Sequence, residues 1–288
     1  MGLWTRLIHG KGRSAEELAA WLGTDVHELL AFEQSYTTFT IPKRGGGQRR
    51  IQSPDRALKI MQKRILRRVL SGLTVHPAAI GFERGRSIVT NARVHAGRRI
   101  VVRMDVEEFF ASTTAERVRR YFRRIGWNRP AARLLTKVCT FEDALPAGAP
   151  TSPRLSNLVN FRLDARLAGA AARAGAVYTR YADDLTFSFA EDDAPRCREL
   201  MRLAGLIAED YGYRLHRRKK LHVRRAHQRQ YVTGLVVNRR PNLPRETRRR
   251  LRAIEHRLAT GRDATLTEHQ MAGWRALQHM IETQSGPD

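Results

Sequence analysis

The stretch TRYADDLTFSF, residues 179–189, sets two adjacent carboxylates inside a sequence that otherwise reads as strand. Val177, Tyr178, Thr179 and Tyr181 precede the acids. Leu185, Phe187 and Phe189 follow, alternating with Thr186 and Ser188, the period of a half-buried strand. Asp183 and Asp184 therefore belong at the bend of a hairpin. Like charges side by side repel. One reading is a solvated turn, since Asp is a good turn residue. The other is a divalent cation, because Mg²⁺ prefers carboxylate oxygen.

A third acid bears on the choice. IVVRMD, residues 100–105, reads as a buried strand ending on Asp105 and followed by EEFF. If this strand neighbours the hairpin in one antiparallel sheet, Asp105, Asp183 and Asp184 converge. Two-metal phosphoryl transfer needs such a cluster, with ions about 3.5–4 Å apart.

The charge balance points to the substrate class. The chain of 288 residues carries 53 Lys and Arg against 28 acids, a formal net charge of +25. Self-repulsion of that size calls for a polyanionic partner. Between Tyr211 and Arg262 there are 17 Lys and Arg and two acids, the profile of a surface that tracks phosphates. A membrane surface is disfavoured, because the basic residues are spread over several segments and form no single long amphipathic helix. No apolar run approaches the roughly 18 residues of a membrane span, and the N-terminus lacks the apolar core of a secretory signal. Cys139 and Cys197 stand far apart, in no metal-binding or disulfide pattern. A cytoplasmic protein is expected.

Periodicity places the rest. Ser14 with Glu17 makes a capping box before a helix, and a second short helix covers about 25–33. Two strands flank Gly45, Gly46 and Gly47. Residues 55–72 form one amphipathic helix, and 76–99 are less regular. Residues 114–138 are helical with a break near Gly126 and Pro130, LPAGAPTSP is a loop, and 154–174 is a helix. Helices at 194–211, 245–260 and 267–283 complete the pattern, with short strands over 212–238.

These segments carry a resemblance. YADD, preceded by Arg180 and followed by LTFS, resembles the active-site motif of reverse transcriptases. DVEEFFAS resembles the first aspartate motif and LPAGAPTSPRLSNL the loop and helix beneath the nucleotide. IPKRGGGQRRIQSP followed by LKIMQKRIL resembles the fingers motifs. They occur in order from about 36 to 238. NARVH, residues 91–95, and VTG, residues 232–234, resemble two signatures of retron reverse transcriptases. Taken alone, the first reads as a loop with one hydrogen-bonding His and the second as a strand end with a glycine bend.

The resemblance implies an α+β right-hand polymerase fold with fingers, an antiparallel palm sheet with packed helices, and a short helical thumb. The expected division is 1–87 for N-terminal helices and fingers, 88–112 for the first palm segment and 113–150 for an insertion. Residues 151–238 make the second palm segment and 239–288 the thumb. It also implies that Asp105, Asp183 and Asp184 hold two Mg²⁺ ions, with Val106 offering a backbone carbonyl. Lys43 and Arg49 match residues that contact the dNTP triphosphate, while Arg44 and Arg50 face the template. Phe110 matches the residue beneath the sugar, where a bulky ring excludes a 2′-hydroxyl; core packing is its other reading. Gly148, Ala149 and Pro150 lie near base and sugar, and Ser156 and Asn157 begin the helix under the site. Ala147 stands where the family often has Gln, which removes one side-chain hydrogen bond near the nucleotide.

For RNA, the expected contacts are Asn91, His95, Arg217, Arg218, Lys219, Lys220, Val232, Thr233, Gly234, Arg248, Arg249 and Arg252. The implied reaction copies a structured non-coding RNA into single-stranded DNA from the 2′-hydroxyl of a guanosine in that RNA. The partners implied are this RNA, its DNA product, dNTPs and an accessory effector protein of phage defence. The chain leaves little room for an RNase H domain, so template removal falls to a host RNase H. The competing readings are a diversity-generating, intron-derived or abortive-infection reverse transcriptase, and a non-catalytic RNA-binding or antitoxin scaffold.

Overall fold

The computed structural model describes residues 12–43, 46–216 and 221–286. The chain divides into two compact units. The first takes in the residues up to His76, Glu107–Ala165 and Glu209–Tyr213; the second takes in Pro77–Val106, Arg166–Ala208 and Arg214–Asp288.

In the first unit, α1 (Ala15–Leu22) begins at the expected capping box, with the Ser14 N–H donating to Glu17 Oε2 at 2.8 Å. α2 spans Val26–Ala31. The strands β1 (Tyr36–Pro42) and β2 (Gln48–Pro54) form an antiparallel hairpin, with Gly46 and Gly47 at positive φ in its turn. The helix expected over 55–72 is α3 (Arg56–Ile65) running into a π-helical turn at Leu66–Leu70. α5 (Ala115–Arg124) and α6 (Arg129–Cys139) break where expected. Trp127 is buried between them, and the Arg13 guanidinium sits over both Trp21 and Trp127, 4.9 and 4.7 Å from the ring centres. Leu18, Leu22, Leu58, Ile65, Phe122 and Leu135 share one core. The single helix expected over 154–174 is two, α7 (Ser152–Val159) and α8 (Phe161–Arg173). Asn160 ends the first, and its buried amide accepts from Arg117 at 2.6 Å and donates to the Tyr213 hydroxyl at 2.8 Å.

The second unit is built on a four-stranded antiparallel sheet in the order β4-β5-β3-β6. Its strands are β3 (Ile100–Asp105), β4 (Ala176–Tyr181), β5 (Asp184–Phe189) and β6 (His222–Arg225). One face is mainly apolar, with Ile100, Val102, Leu185, Phe187 and Tyr178 all buried, and also carries the buried Arg180 opposite Leu185. The other carries Arg103, Asp105, Thr179, Asp184, Thr186 and Ser188, because directly opposed residues share a face. Between β4 and β5 the chain turns in two residues, and Ala182 takes a φ of 58°. Residues 78–81 brace this turn by running parallel to β4: Arg180 N–H donates to the Ala78 carbonyl at 2.7 Å and Ile80 N–H to that of Arg180 at 2.8 Å. Gly81 lies so close that a Cβ there would meet the Ala182 nitrogen at 2.8 Å. α9 (Ala194–Asp210) follows the hairpin and buries Cys197, Leu200, Ala204 and Ile207.

Two further details depart from the sequence expectation. NARVH is helical: α4 (Ile88–Val94) is capped by Ser87 and ends at His95. β5 is not half-buried, since Thr186 and Ser188 are as hidden as its apolar residues. His95 meets this face, its ring nitrogens 2.7 Å from Ser188 Oγ and 2.7 Å from Thr179 Oγ1. It clasps α4 to the polar face and satisfies hydroxyls that burial would otherwise penalise.

VTG ends β7 (Tyr231–Val232) and supplies the two-residue turn, Thr233 and Gly234 at φ 47° and 83°, into β8 (Leu235–Val236). Positive φ at both central residues suits the right-handed strand twist and favours Gly. Thr233 Oγ1 donates to the Ile88 carbonyl at 2.8 Å, so the turn is tied to the start of α4. The two sequence signatures thus form one assembly. Val89, Ala92, Val232, Leu235 and Val237 share a core with Leu251 and Ile254 of α10 (Arg245–Ala259) and Met271 and Ile281 of α11 (Glu268–Gln284). Gln230, wholly buried, donates to the carbonyls of Arg98 and Arg224 at 3.0 and 3.1 Å. No helix among the described residues is long and apolar enough to cross a membrane, and Cys139 and Cys197 are buried and unbridged.

Burial, and then the nearby Arg98, push the His95 pKa down to about 3. The unfolded chain takes up this proton near pH 6.5, the folded chain only near 3. The neutral clasp therefore contributes fully above pH 6.5 and loses up to about 1.4 kcal/mol per unit as pH falls below it. Denaturant titrations should show stability dropping from pH 7 to 5, and His95→Gln should lower stability at pH 7 while flattening that slope. Gly81→Ala should displace the Ala182 turn. The expected result is a shift of the backbone amide resonances of Ala182, Asp183 and Asp184, with those of the β1–β2 hairpin unchanged.

Candidate active site

The ladder between β3 and β5 sets Asp105 directly opposite Asp184. The next rung ties Val106 N–H to the Asp183 carbonyl at 2.9 Å. All three acids that the sequence singled out thus meet at one end of one sheet. Beyond β3 the chain at 214–216 returns alongside: Val106 bridges Leu215, and the His216 N–H donates to the Asp105 carbonyl at 2.9 Å. The carboxylates are only partly accessible, with side-chain exposures of 13% for Asp105 and 22% for Asp184.

Opposed carboxylates destabilise a ladder unless cations offset them. Arg103 does so for Asp184, and His216 lies beside Asp105; neither stood out in the sequence. Arg103 Nη2 donates to Asp184 Oδ1 and Oδ2, each at 2.9 Å, and His216 Nε2 lies 3.4 Å from Asp105 Oδ1. Arg103 was legible in principle, since two residues before Asp105 on a strand means the same face. His216 was not, because only the return of 214–216 brings it near.

No group of three or more His, Cys, Asp or Glu among the described residues is gathered closely enough to enclose a metal. The donor set still suits Mg²⁺: hard carboxylate oxygens at one sheet end, with the remaining ligands left to water and substrate phosphate.

The residues expected to meet the nucleotide lie in the first unit. Lys43 is exposed at the end of β1, and Arg49 is exposed on β2 opposite Ile41. Arg44 and Gly45 lie outside the described residues. Arg50 does not stand free for a template: Glu142 takes its two terminal nitrogens at 2.7 and 2.8 Å. Phe110 is half-buried against the unit's core, its ring 5.5 Å from that of Phe109. The loop of Gly148, Ala149 and Pro150 is fastened to β2, because Gln52 N–H donates to the Ala147 carbonyl at 2.9 Å. Any side chain at Gly148 would collide with the Gln52 carbonyl, 2.6 Å from its Cβ, and its φ of 142° also calls for glycine. Ala147 thus contributes through its backbone. Ser156 and Asn157 are buried within α7, not at its start.

The expected RNA contacts divide sharply. Asn91, His95 and Val232 are fully buried, so none of them presents its side chain at the surface in this structure. Val232 fills a core and His95 holds the sheet. Thr233 is half-buried and Gly234 exposed. Arg248, Arg249 and Arg252 are exposed on α10, and Arg245, Arg248 and Arg252 line a cavity of about 250 Å³ with Gln278 of α11. Arg217, Arg218, Lys219 and Lys220 lie outside the described residues.

Comparison with known proteins places this geometry. Residues 41–235 match the family described as reverse transcriptase (RNA-dependent DNA polymerase). The retron Mx65 reverse transcriptase of Myxococcus xanthus is 39% identical, the match covering 93% of this chain and 68% of that protein. The retron Mx162 reverse transcriptase of the same organism is 38% identical over 95% of this chain and 65% of its own length. The retron Ec86 reverse transcriptase of Escherichia coli is 36% identical over 87% and 78%. This chain, with its paired strands of catalytic-type acids and its two signatures joined in one assembly, belongs to the reverse transcriptases, RNA-dependent DNA polymerases, and among them to those of retrons.

Proposed function

We propose that the protein copies part of a cognate structured non-coding RNA into single-stranded DNA, starting from the 2′-hydroxyl of a guanosine in that RNA. The observation that carries this is the register of Asp105 opposite Asp184, with Asp183 tied to Val106 beside them. In this reading the β4-β5-β3-β6 sheet is the palm, the β1–β2 hairpin and its helices the fingers, and α10 with α11 the thumb.

Asp105, Asp183 and Asp184 would hold two Mg²⁺ ions, helped by the Val106 carbonyl. When bound, such ions lower the pKa of the attacking hydroxyl and neutralise the leaving oxygens. The chain's own groups do the rest. Arg103 neutralises Asp184 before metal arrives. Lys43 and Arg49 engage the triphosphate through charge-assisted bonds. Phe110 excludes a 2′-hydroxyl from the incoming sugar, and Gly148, Ala149 and Pro150 border its base.

RNA lies along the arginines of α10, by phosphate contacts that position the strand. The VTG turn presents Thr233 and Gly234 to it, while His95 holds the sheet and Val232 packs in the core beneath that turn. The basic run Arg217, Arg218, Lys219 and Lys220 adds charge. The setting is cytoplasmic phage defence, with a separate effector protein and a host RNase H that removes copied template.

The deciding experiment is on nucleic acid that copurifies with the protein expressed from its native locus. After RNase and debranching enzyme, wild type should yield one discrete single-stranded DNA. Asp183→Asn should yield none while keeping its RNA, because it removes a metal ligand and leaves the basic surface intact. Unbranched, heterogeneous DNA would instead assign another reverse transcriptase class. Phe110→Ala should raise ribonucleotide incorporation roughly tenfold or more, as expected when a steric barrier of about 1–3 kcal/mol is removed; unchanged discrimination would make Phe110 a core residue.

A further inference from the structure

The polar face of the β4-β5-β3-β6 sheet is covered unevenly. Over β4 and β5, His95 occupies it. Over β3 and β6 it lies open as a cavity of about 350 Å³, lined by Val101, Arg103, His222, Arg224, Tyr231 and Gly234. The register explains the floor: Val101 opposes Arg224 and Arg103 opposes His222, so all four side chains share one face. The VTG hairpin forms the wall. Its Tyr231 hydroxyl accepts from Arg229 at 3.2 Å, and Arg229 is itself paired with Glu246 at 2.8 Å, which tethers the ring.

Among the described residues, no carboxylate lines this groove. His222 and Arg224 are exposed, and neither has an acidic partner among the described residues. Arg103 links the groove to the catalytic end. One terminal nitrogen serves both oxygens of Asp184, while its Nε is buried without a hydrogen-bond partner. A guanidinium is a planar fork that can serve two anions from different edges. A buried donor left unpaired calls for an explanation, and an acceptor entering the groove supplies one.

We propose that this groove takes a phosphodiester of a nucleic-acid strand, and that Arg103 couples its occupancy to Asp184. A phosphate bound by Arg224, His222 and Arg103 draws the guanidinium off the carboxylate, and Asp184 is released to a divalent cation. The empty enzyme keeps Asp184 neutralised; the loaded enzyme frees it when a strand is in place. Tyr231 offers the strand a ring to stack on, as single-strand grooves do. The proposal rests on the polymerase reading and adds a binding site and a coupling residue to it.

The test uses the full-length protein and two probes, a ten-nucleotide RNA and its DNA counterpart. Fluorescence anisotropy should show Arg224→Gln and His222→Gln weakening binding several-fold, with a shallower salt dependence, by about one unit of log–log slope for each phosphate no longer neutralised. Loss with RNA alone identifies the template or cognate RNA as the occupant; loss with DNA alone identifies the product strand. Unchanged affinity for both probes overturns the groove. Mn²⁺ binding, read from the free-ion paramagnetic signal with each decamer alone as blank, tests the coupling. The bound strand should raise the Mn²⁺ affinity of wild type. Arg103→Gln should bind Mn²⁺ more tightly without any strand and gain nothing from one. Equal Mn²⁺ affinity in wild type and Arg103→Gln overturns the coupling, and circular dichroism of the variant shows that it is folded. DNA synthesis by wild type on a primed RNA template, run alongside, separates failure of the polymerase reading from failure of the groove.

Discussion

The β3–β5 ladder puts one carboxylate squarely against another. Asp105 and Asp184 face each other across adjacent strands, an arrangement that ladder energetics oppose. The second unit is organised around making it tolerable. Arg103 holds Asp184 from the same face of the sheet, and His216 reaches Asp105 from the returning segment. Residues 78–81 brace the outer strand, and the Gly81 contact fixes the two-residue turn that aims both acids. Repulsion that is held in check this way is a standing demand for positive charge, which is what a metal-dependent polymerase site requires.

Away from the acids, the same sheet face solves a second problem. Thr179, Thr186 and Ser188 are polar and fully buried. His95 satisfies two of them and remains neutral because burial disfavours its charged form. Gln230 does similar work between the strands, bonding to carbonyls near the start of β3 and on β6. The retron signatures therefore act first as fasteners: α4 seals half of the sheet, and the VTG hairpin docks on α4. What they leave uncovered is a cationic groove beside the catalytic end.

Much of this was legible in the chain. The acids could be placed because strand periodicity flanks them on both sides, and the apolar stripes of α10 and α11 fall in a core as their spacing requires. Boundaries within 154–174 and 55–72 were not legible. Asn160 ends a helix through bonds to Arg117 and Tyr213, residues remote in sequence, and propensity cannot register those. NARVH taken alone read as a loop with one hydrogen-bonding His for the same reason: the hydroxyls that His95 meets lie on strands remote in sequence.

The sequence alone determined the reaction class. Three acids on strand ends, a large positive charge and an ordered series of motifs leave little else for the chain to do, because carboxylates in that pattern serve metal ions and basic surfaces serve phosphates. Only the tertiary structure decided which polar residues are held inside and which face a partner. It buried His95 against Ser188 and Thr179, paired Arg50 with Glu142, and stood Arg103 between Asp184 and an open groove. The physical reason is that a side chain's charge is local, while its partner is chosen by the path of the backbone.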